Sequence, residues 1–360
     1  MKKIYIGAET IISPLGEDVR KNFAAIRDNR SGITLISNAG FNDDAVYLAK
    51  FLTVTPTFAS LIAATLNLVS DQLDPTIVSS GKTILIVSST KGALDQDISD
   101  QFGKSMTVIT EQFGLKNQPI VISNACISGV LAINAARNFI DAGLYDHAVV
   151  VGCDLISDFV VYGFQSLFAI SDKPCTPFDT LRNGITMGEG CGAVVVSNTA
   201  SIFNNSPLGL LPGTTANDAN HISGPSRTGE GLYRTVKKTM EINNLVADDF
   251  DFISAHGTAT VFNDEMESIA FDRLGLNHVP LNSLKGYFGH TLGAAGVIET
   301  AASMQMMREN LLVKSLGFEE QGTTKELNII KKNTTADLNT ILKTASGFGG
   351  GNASLVIAKR

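Results

Sequence analysis

The sequence predicts an α/β protein built as two pseudo-duplicated halves, and three observations predict it. Short β-branched runs alternate with Ala-rich stretches of helical length, the pattern of parallel strands joined by crossover helices. Hydrophobic residues make up 44% of the 360 and charged residues only 18%, a balance that suits strands and helices buried on most faces. A succession of strand, sharp turn, Ala/Gly-rich helix and Gly-rich hairpin also occurs twice. It runs from Ser123 to Gly143 and ends at Gly188–Gly192, then from Gly289 to Arg308 and ends at Gly347–Gly351. Such self-similarity marks an ancient duplication.

In order along the chain, strands are expected over 3–12, 82–89, 118–124, 147–153 and 191–197. In the second half they are expected near 208–214, 250–255, 279–283, 340–345 and 353–358. Helices are expected over 56–73, 126–142, 229–243, 264–273 and 290–308, with a few shorter pieces. The polar, turn-rich stretch 198–207 divides an N-terminal half, 1–200, from a C-terminal half, 201–360. The segments 126–142 and 290–304 are small or apolar nearly all round, so both helices belong in the interior.

A net charge of −7 argues against nucleic acid as a partner. Four widely spaced cysteines form neither a disulfide framework nor a zinc-site spacing, so no metal is expected. Glu9 and Pro14 interrupt the apolar start, which excludes a secretory core. No apolar run has the length to cross a membrane. A cytosolic protein is expected. Ser80-Gly81-Lys82-Thr83 is similar to the end of a phosphate-binding loop, but Thr76 stands where that loop needs glycine.

The chemistry-bearing residues lie at element ends. Cys126, in Ser123-Asn124-Ala125-Cys126-Ile127-Ser128-Gly129, sits where a strand meets a helix. Unpaired N–H groups and the helix dipole at such a start favour a thiolate and are expected to lower the thiol pKa. Small neighbours allow a tight elbow. Alone, Cys126 reads as a buried structural thiol, as do Cys153, Cys175 and Cys191. Two of the five histidines lie in Gly-dense surroundings. His256 follows an apolar strand within Ala255-His256-Gly257-Thr258-Ala259-Thr260, and His290 opens an interior helix within Gly289-His290-Thr291-Leu292-Gly293. A helix start disfavours imidazolium, so His290 is expected to stay neutral and donate a hydrogen bond. Lys285 precedes it by five residues and can share its pocket. His147 and His278, at element ends, read as capping or core residues.

Together these motifs resemble the elongating β-ketoacyl-acyl carrier protein synthases, a branch of the thiolase-fold superfamily. Ile12-Ser13-Pro14-Leu15-Gly16 is similar to the family's N-terminal turn. Pro177-Phe178-Asp179 through Gly188-Glu189-Gly190 is similar to the segment after its nucleophile. Asp218 to Pro225 matches a further loop. His256 with Asp264 and Glu267, Lys285 with His290 and Glu299, and Gly347-Phe348-Gly349-Gly350 complete the set. The resemblance implies a thiolase-like, five-layered αβαβα fold whose two central helices are headed by Cys126 and His290.

It also implies a decarboxylative Claisen condensation. Cys126 would carry the acyl group, and the backbone N–H groups of Cys126 and Phe348 would form the oxyanion hole, with Phe348 also gating the site. His256 and His290 would stabilise the enolate of a malonyl unit. Lys285, Asp264, Glu267 and Glu299 would form one buried charge network orienting the histidines. Thr258, Thr260 and Ser223 would contact substrate, Ser223 standing where relatives carry Thr. No cofactor is expected, both acyl groups arriving on the phosphopantetheine of an acyl carrier protein. A homodimer is expected, with a heterodimer of related subunits, or a chain-length-factor role without catalysis, as the alternative. A shortened stretch between about 36 and 120 lacks the family's basic carrier-docking segment, which leaves Lys91, Lys104, Lys116 and Arg137 as docking candidates. It also points to specialised polyene or polyketide assembly.

Overall fold

A computed structural model describes residues 2–218 and 224–359. Ten strands form its framework: β1 Tyr5–Ile12, β2 Thr83–Ser88, β3 Ile120–Ile122, β4 His147–Asp154, β5 Gly190–Ser197, β6 Leu208–Asn217, β7 Phe252–Ser254, β8 Leu281–Asn282, β9 Thr340–Ser346 and β10 Gly351–Ala358. They hydrogen-bond in the order β8-β7-β9-β10-β6-β1-β5-β4-β2-β3. Within each half the strands follow one another, from edge to centre, as third, second, fourth, fifth and first. The outer pairings are parallel and the inner ones antiparallel in both halves. The half-sheets meet along β1 and β6, where Tyr5 faces Gly209 and Ile6 faces Leu208.

Helices fill three layers around this framework. α1, Phe58–Ser70, covers the outer face of the first half-sheet, and α4, Glu230–Asn243, covers that of the second, with α5, Val261–Arg273, packed beside it. Between the half-sheets lie α2, Ser128–Asp141, and α6, Ala295–Glu309. Every residue of α6 from Ala295 to Met304 is buried, as the all-round small and apolar composition requires. The expected αβαβα layering is present, and all ten expected strands form.

Three differences matter. The interior helix expected from 290 begins at Ala295, after a 3₁₀ turn over Leu292–Ala294. Gly289 and Leu292 have positive φ (65° and 51°), so the chain turns twice before the helix starts and His290 lies in the lead-in. Helices at Val19–Arg27, at Gly103–Phe113 and at α3, Asp158–Ser166, were not individually expected. A small sheet of Thr34–Ile36, Val46–Ala49 and Met187–Gly188 carries no pattern of its own. Its last strand comes from a distant segment, so tertiary packing and not local propensity forms it.

Candidate active site

The elbow at Cys126 is built by its neighbours. Ala125 takes a positive φ of 43°. The Ser128 hydroxyl accepts from Asn124 N at 2.7 Å and donates to Ala125 O at 2.7 Å, closing the turn before α2 begins. Gly347 can approach because it lacks a side chain: a Cβ there would lie 3.1 Å from Cys126 N. That approach brings Phe348 N–H to the sulfur, where it joins the N–H of Cys126 itself as a hydrogen-bond donor.

His290 meets Cys126 from the other half. Its Nε2 lies 3.1 Å from Cys126 Sγ. Leu292 N donates to His290 Nδ1 at 3.1 Å, so Nδ1 is the acceptor and the ring proton sits on Nε2, aimed at the sulfur. His256 packs edge-on to His290, ring centres 5.2 Å apart and planes at 82°. Lys285 Nζ lies 3.3 Å from His256 Nδ1. An ammonium can only donate there, so His256 also carries its proton on Nε2. One ligand atom from each of Cys126, His256 and His290 falls within 4.8 Å of the others.

Burial and the charge of Lys285 hold both imidazoles far below the ordinary histidine pKa. His290 is therefore neutral, as expected, but from desolvation and the nearby lysines and not from a helix start. The Cys126 expectation reverses: burial pushes the thiol up to about 11, opposed in part by Lys285 and the two backbone N–H groups. The group in the resting pocket is a thiol, and desolvation outweighs the helix-start effect.

The carboxylates divide into two sets where one network was expected. Glu299 alone pairs with Lys285, at 2.7 Å, while Lys285 also donates to His256 O at 2.6 Å. Asp264 and Glu267, on the first turns of α5, bind backbone N–H groups and the Asn263 side-chain amide instead. Asp264 accepts from Thr258 N and Phe178 N, and Glu267 accepts from His256 N and Gly257 N. They fix the loop that carries His256. Its tight path needs Gly257 (φ 42°), where a Cβ would lie 2.6 Å from Ser283 Cβ. Burial and the adjacent Asp264 push the Glu267 carboxyl up to about 7.

A pocket of about 520 Å³ opens onto Cys126 and both histidines. Thr258 and Thr260 line it, their hydroxyls 2.9 Å apart. Phe348, 41% exposed, stands in the wall with its ring 5.6 Å from that of Phe164 on α3. Ser223 lies outside the described residues. Lys91 and Arg137 are buried and paired with Asp95 and Asp141, so neither belongs to a docking surface. Lys104 and Lys116 are exposed.

Two residues of the site were missed in the sequence. Asp154, at the end of β4, accepts from Ser89 Oγ, Thr90 N and Gly293 N and so anchors the turn after His290. Lys343, on β9, reaches Glu299 Oε2 at 2.6 Å. Its signal was present: a lysine inside an otherwise uncharged strand must find a buried partner.

Residues 104–201 match the model of the β-ketoacyl synthase N-terminal domain and residues 210–319 that of the β-ketoacyl synthase C-terminal domain. The chain belongs to the β-ketoacyl synthase family. It is 31% identical over 257 residues to 3-oxoacyl-[acyl-carrier-protein] synthase 2 of Rhizobium meliloti, covering 66% of this chain and 60% of that one. It is 29% identical over 269 residues to a 3-oxoacyl-[acyl-carrier-protein] synthase homolog of Saccharomyces cerevisiae, covering 70% and 61%. The matches thus span about three fifths of the length of these relatives. Among solved structures, a chain from the complex of ketosynthase ApeO with its chain length factor ApeC, from Xenorhabdus doucetiae, superposes with a TM-score of 0.91 at 24% identity. All of this chain and 98% of that one are covered. The fold is thus the thiolase-like fold of ketosynthases. Among the described residues no helix is long and apolar enough to cross a membrane.

Proposed function

We propose that the protein is an elongating β-ketoacyl synthase. The observation that carries this reading is the pair of N–H donors at one sulfur: His290 Nε2–H aimed at Cys126 Sγ from one side and Phe348 N–H from another. In the first half-reaction the Cys126 sulfur attacks a thioester carbonyl, the new C–S bond forms and the carrier's C–S bond breaks. The Cys126 proton leaves with the carrier thiol. The developing oxyanion faces the N–H groups of Cys126 and Phe348.

In the second half-reaction a malonyl thioester loses carbon dioxide. The electrons of the broken C–C bond pass to the thioester oxygen, held by the Nε2–H groups of His256 and His290. Neutral donors stabilise this enolate without handing it a proton early. Its carbon attacks the acyl-Cys126 carbonyl, the C–S bond breaks, and the released thiolate takes a proton from solvent. Lys285 and Glu299 orient His256, while Thr258, Thr260 and Ser223 meet the malonyl or pantetheine portion. Phe348 gates the pocket.

Acyl groups arrive on the phosphopantetheine of an acidic acyl carrier protein, and no further cofactor takes part. We place both proteins in the cytoplasm, where free cysteines such as these four stay reduced. A basic face suited to the carrier runs along α4, where Arg234, Lys237 and Lys238 are exposed beside Arg227. The chain pairs through the β3 edge, since an open strand edge otherwise invites aggregation. A homodimer is the simplest such pairing. A heterodimer with a chain-length-factor subunit is the second reading, favoured by the Xenorhabdus complex, while the intact Cys126 elbow speaks for this chain as the catalytic member.

Mass spectrometry after incubation with a panel of acyl-carrier thioesters tests the assignment. An adduct of the acyl mass on wild type and none on Cys126→Ala is expected. An adduct formed at the normal rate by the variant transfers the role to another cysteine.

A further inference from the structure

Glu299 is gripped from both sides. Its Oε1 binds Lys285 at 2.7 Å and its Oε2 binds Lys343 at 2.6 Å, with all three side chains buried. Besides Glu299, Lys343 Nζ reaches three backbone carbonyls: Thr344 O at 2.9 Å, Ser254 O at 3.3 Å and Ala255 O at 3.4 Å. Four acceptors surround one nitrogen and none of them can donate. A neutral amine would leave its lone pair facing oxygen, so the ammonium is the form that fits. Two ammonium groups and one carboxylate leave one positive charge in the interior, directly behind the histidine pair.

Lys343 also ties together the elements that carry the site. It sits on β9, five residues before Phe348, and in register with Ser254 on β7, two residues before His256. Through Glu299 it grips α6, whose lead-in bears His290. On its other side Leu355 of β10 is its strand partner and brings no charge. The titratable groups that act on it are therefore Glu299, Lys285 and, from α5, Glu267.

We propose that Lys343 is a positioning residue for the enolate-forming step, clamping Glu299 with Lys285 and keeping a buried positive charge behind His256 and His290. The inference rests on the donor roles given to the histidines above. A positive charge there favours the enolate and disfavours imidazolium, in the same sense for both rings. Burial draws the Lys343 ammonium below its ordinary value and Glu299 opposes that pull.

The test separates the half-reactions. Wild type, Lys343→Met and Lys343→Arg are given the N-acetylcysteamine thioester of malonate, carbon dioxide release is followed from neutral pH downward, and Cys126 acylation is measured apart. In Lys343→Met decarboxylation should fall on the order of tenfold to a hundredfold, more than acylation falls. Its acid limb should move to higher pH, and Lys343→Arg should return that limb toward wild type. A Met variant with the wild-type rate and limb overturns the proposal while leaving the synthase reading intact. Absence of Cys126 acylation in wild type overturns the synthase reading itself. Should Lys343→Met fail to fold, ¹⁵N imidazole titration of wild type against Lys343→Gln decides. Rings that protonate at higher pH in the Gln variant support the buried charge, and identical titrations in the two proteins overturn it.

Discussion

Gly129 and Gly296 meet where α2 crosses α6, with no room for a methyl group between them. A Cβ on Gly129 would lie 2.7 Å from Val297 N, and one on Gly296 would lie 2.5 Å from Val130 N. Cys126 leads into the first helix and His290 into the second, so this contact sets the separation of nucleophile and donor. Gly129→Ala should cost about 1–3 kcal/mol by overpacking and depress condensation. Gly163→Ala, in α3 with nothing within 4 Å of its Cβ, is the control and should be neutral or gain about 0.5–1 kcal/mol. Urea unfolding of the pair checks both signs; equal effects would show that the close contact is not what constrains Gly129.

His290→Ala removes the Nε2–H donor to the sulfur and to the enolate. The variant should still be acylated at Cys126 but release carbon dioxide from malonyl thioester roughly a hundredfold to a thousandfold more slowly, the cost of one such donor. Measuring the two half-reactions separately shows the split. Unchanged carbon dioxide release would remove His290 from the enolate-forming step.

The pH dependence of stability carries opposing contributions from the buried groups around the two histidines. His256 and His290 have folded pKa values depressed below 6.5. Their contribution is present above that value and is lost as pH falls, because the unfolded chain binds the protons. Glu267 is raised from 4.5 to about 7; its contribution is present below 4.5 and lost as pH rises to about 7. Glu267→Gln deletes the second slope and leaves the first. Between pH 5 and 7 its urea midpoint should therefore fall more steeply on acidification than that of wild type. Parallel curves would mean that Glu267 is ionised across this range.

Much of this architecture is legible in the chain because its signals are local and repeated. The unbroken apolar runs of β4 and β5, Ala148 to Val151 and Ala193 to Val196, are buried on both faces and read as strands without help. Cys126, His256, Lys285 and His290 stand out because each follows a strand or turn rich in small residues. The partners of the charges were not legible. Asp264 and Glu267 precede Lys285 by only about twenty residues, yet neither pairs with it: Glu267 accepts from His256 N and Gly257 N, and Asp264 from Thr258 N and Phe178 N. Lys343 pairs with Glu299 across 44 positions. Pairing of this kind is decided by which side chains the fold brings face to face, and helical spacing says nothing of it. The lowered thiol pKa expected at Cys126 is reversed by burial, since sequence shows the helix start and not the depth at which the sulfur lies.

The basic face of α4 gives the last prediction. Arg273 stacks 4.0 Å from the Tyr233 ring and Lys237 lies 5.6 Å from it, which gathers α4 and α5 cations on one surface. Glu230 pairs with Arg273 and Glu241 with Lys238. Among the described residues no carboxylate lies within ion-pair distance of Arg227, Arg234 or Lys237. The face begins at the pocket, because Gly224 to Ser226 line it and a Cβ on Gly231 would lie 2.5 Å from Asn352, another lining residue. An acidic carrier docked there could lower its pantetheine arm toward Thr258 and Thr260. Charge reversal at a docking rim acts chiefly on association and fades with salt. Arg234→Glu with Lys237→Glu should therefore lower kcat/KM for carrier-borne acyl groups by roughly tenfold at low salt, with the gap closing as salt is added. Turnover of the small N-acetylcysteamine thioester, which needs no docking, should not change. An equal loss on both substrates would place the damage in the pocket, and no loss on either would move the carrier to another face.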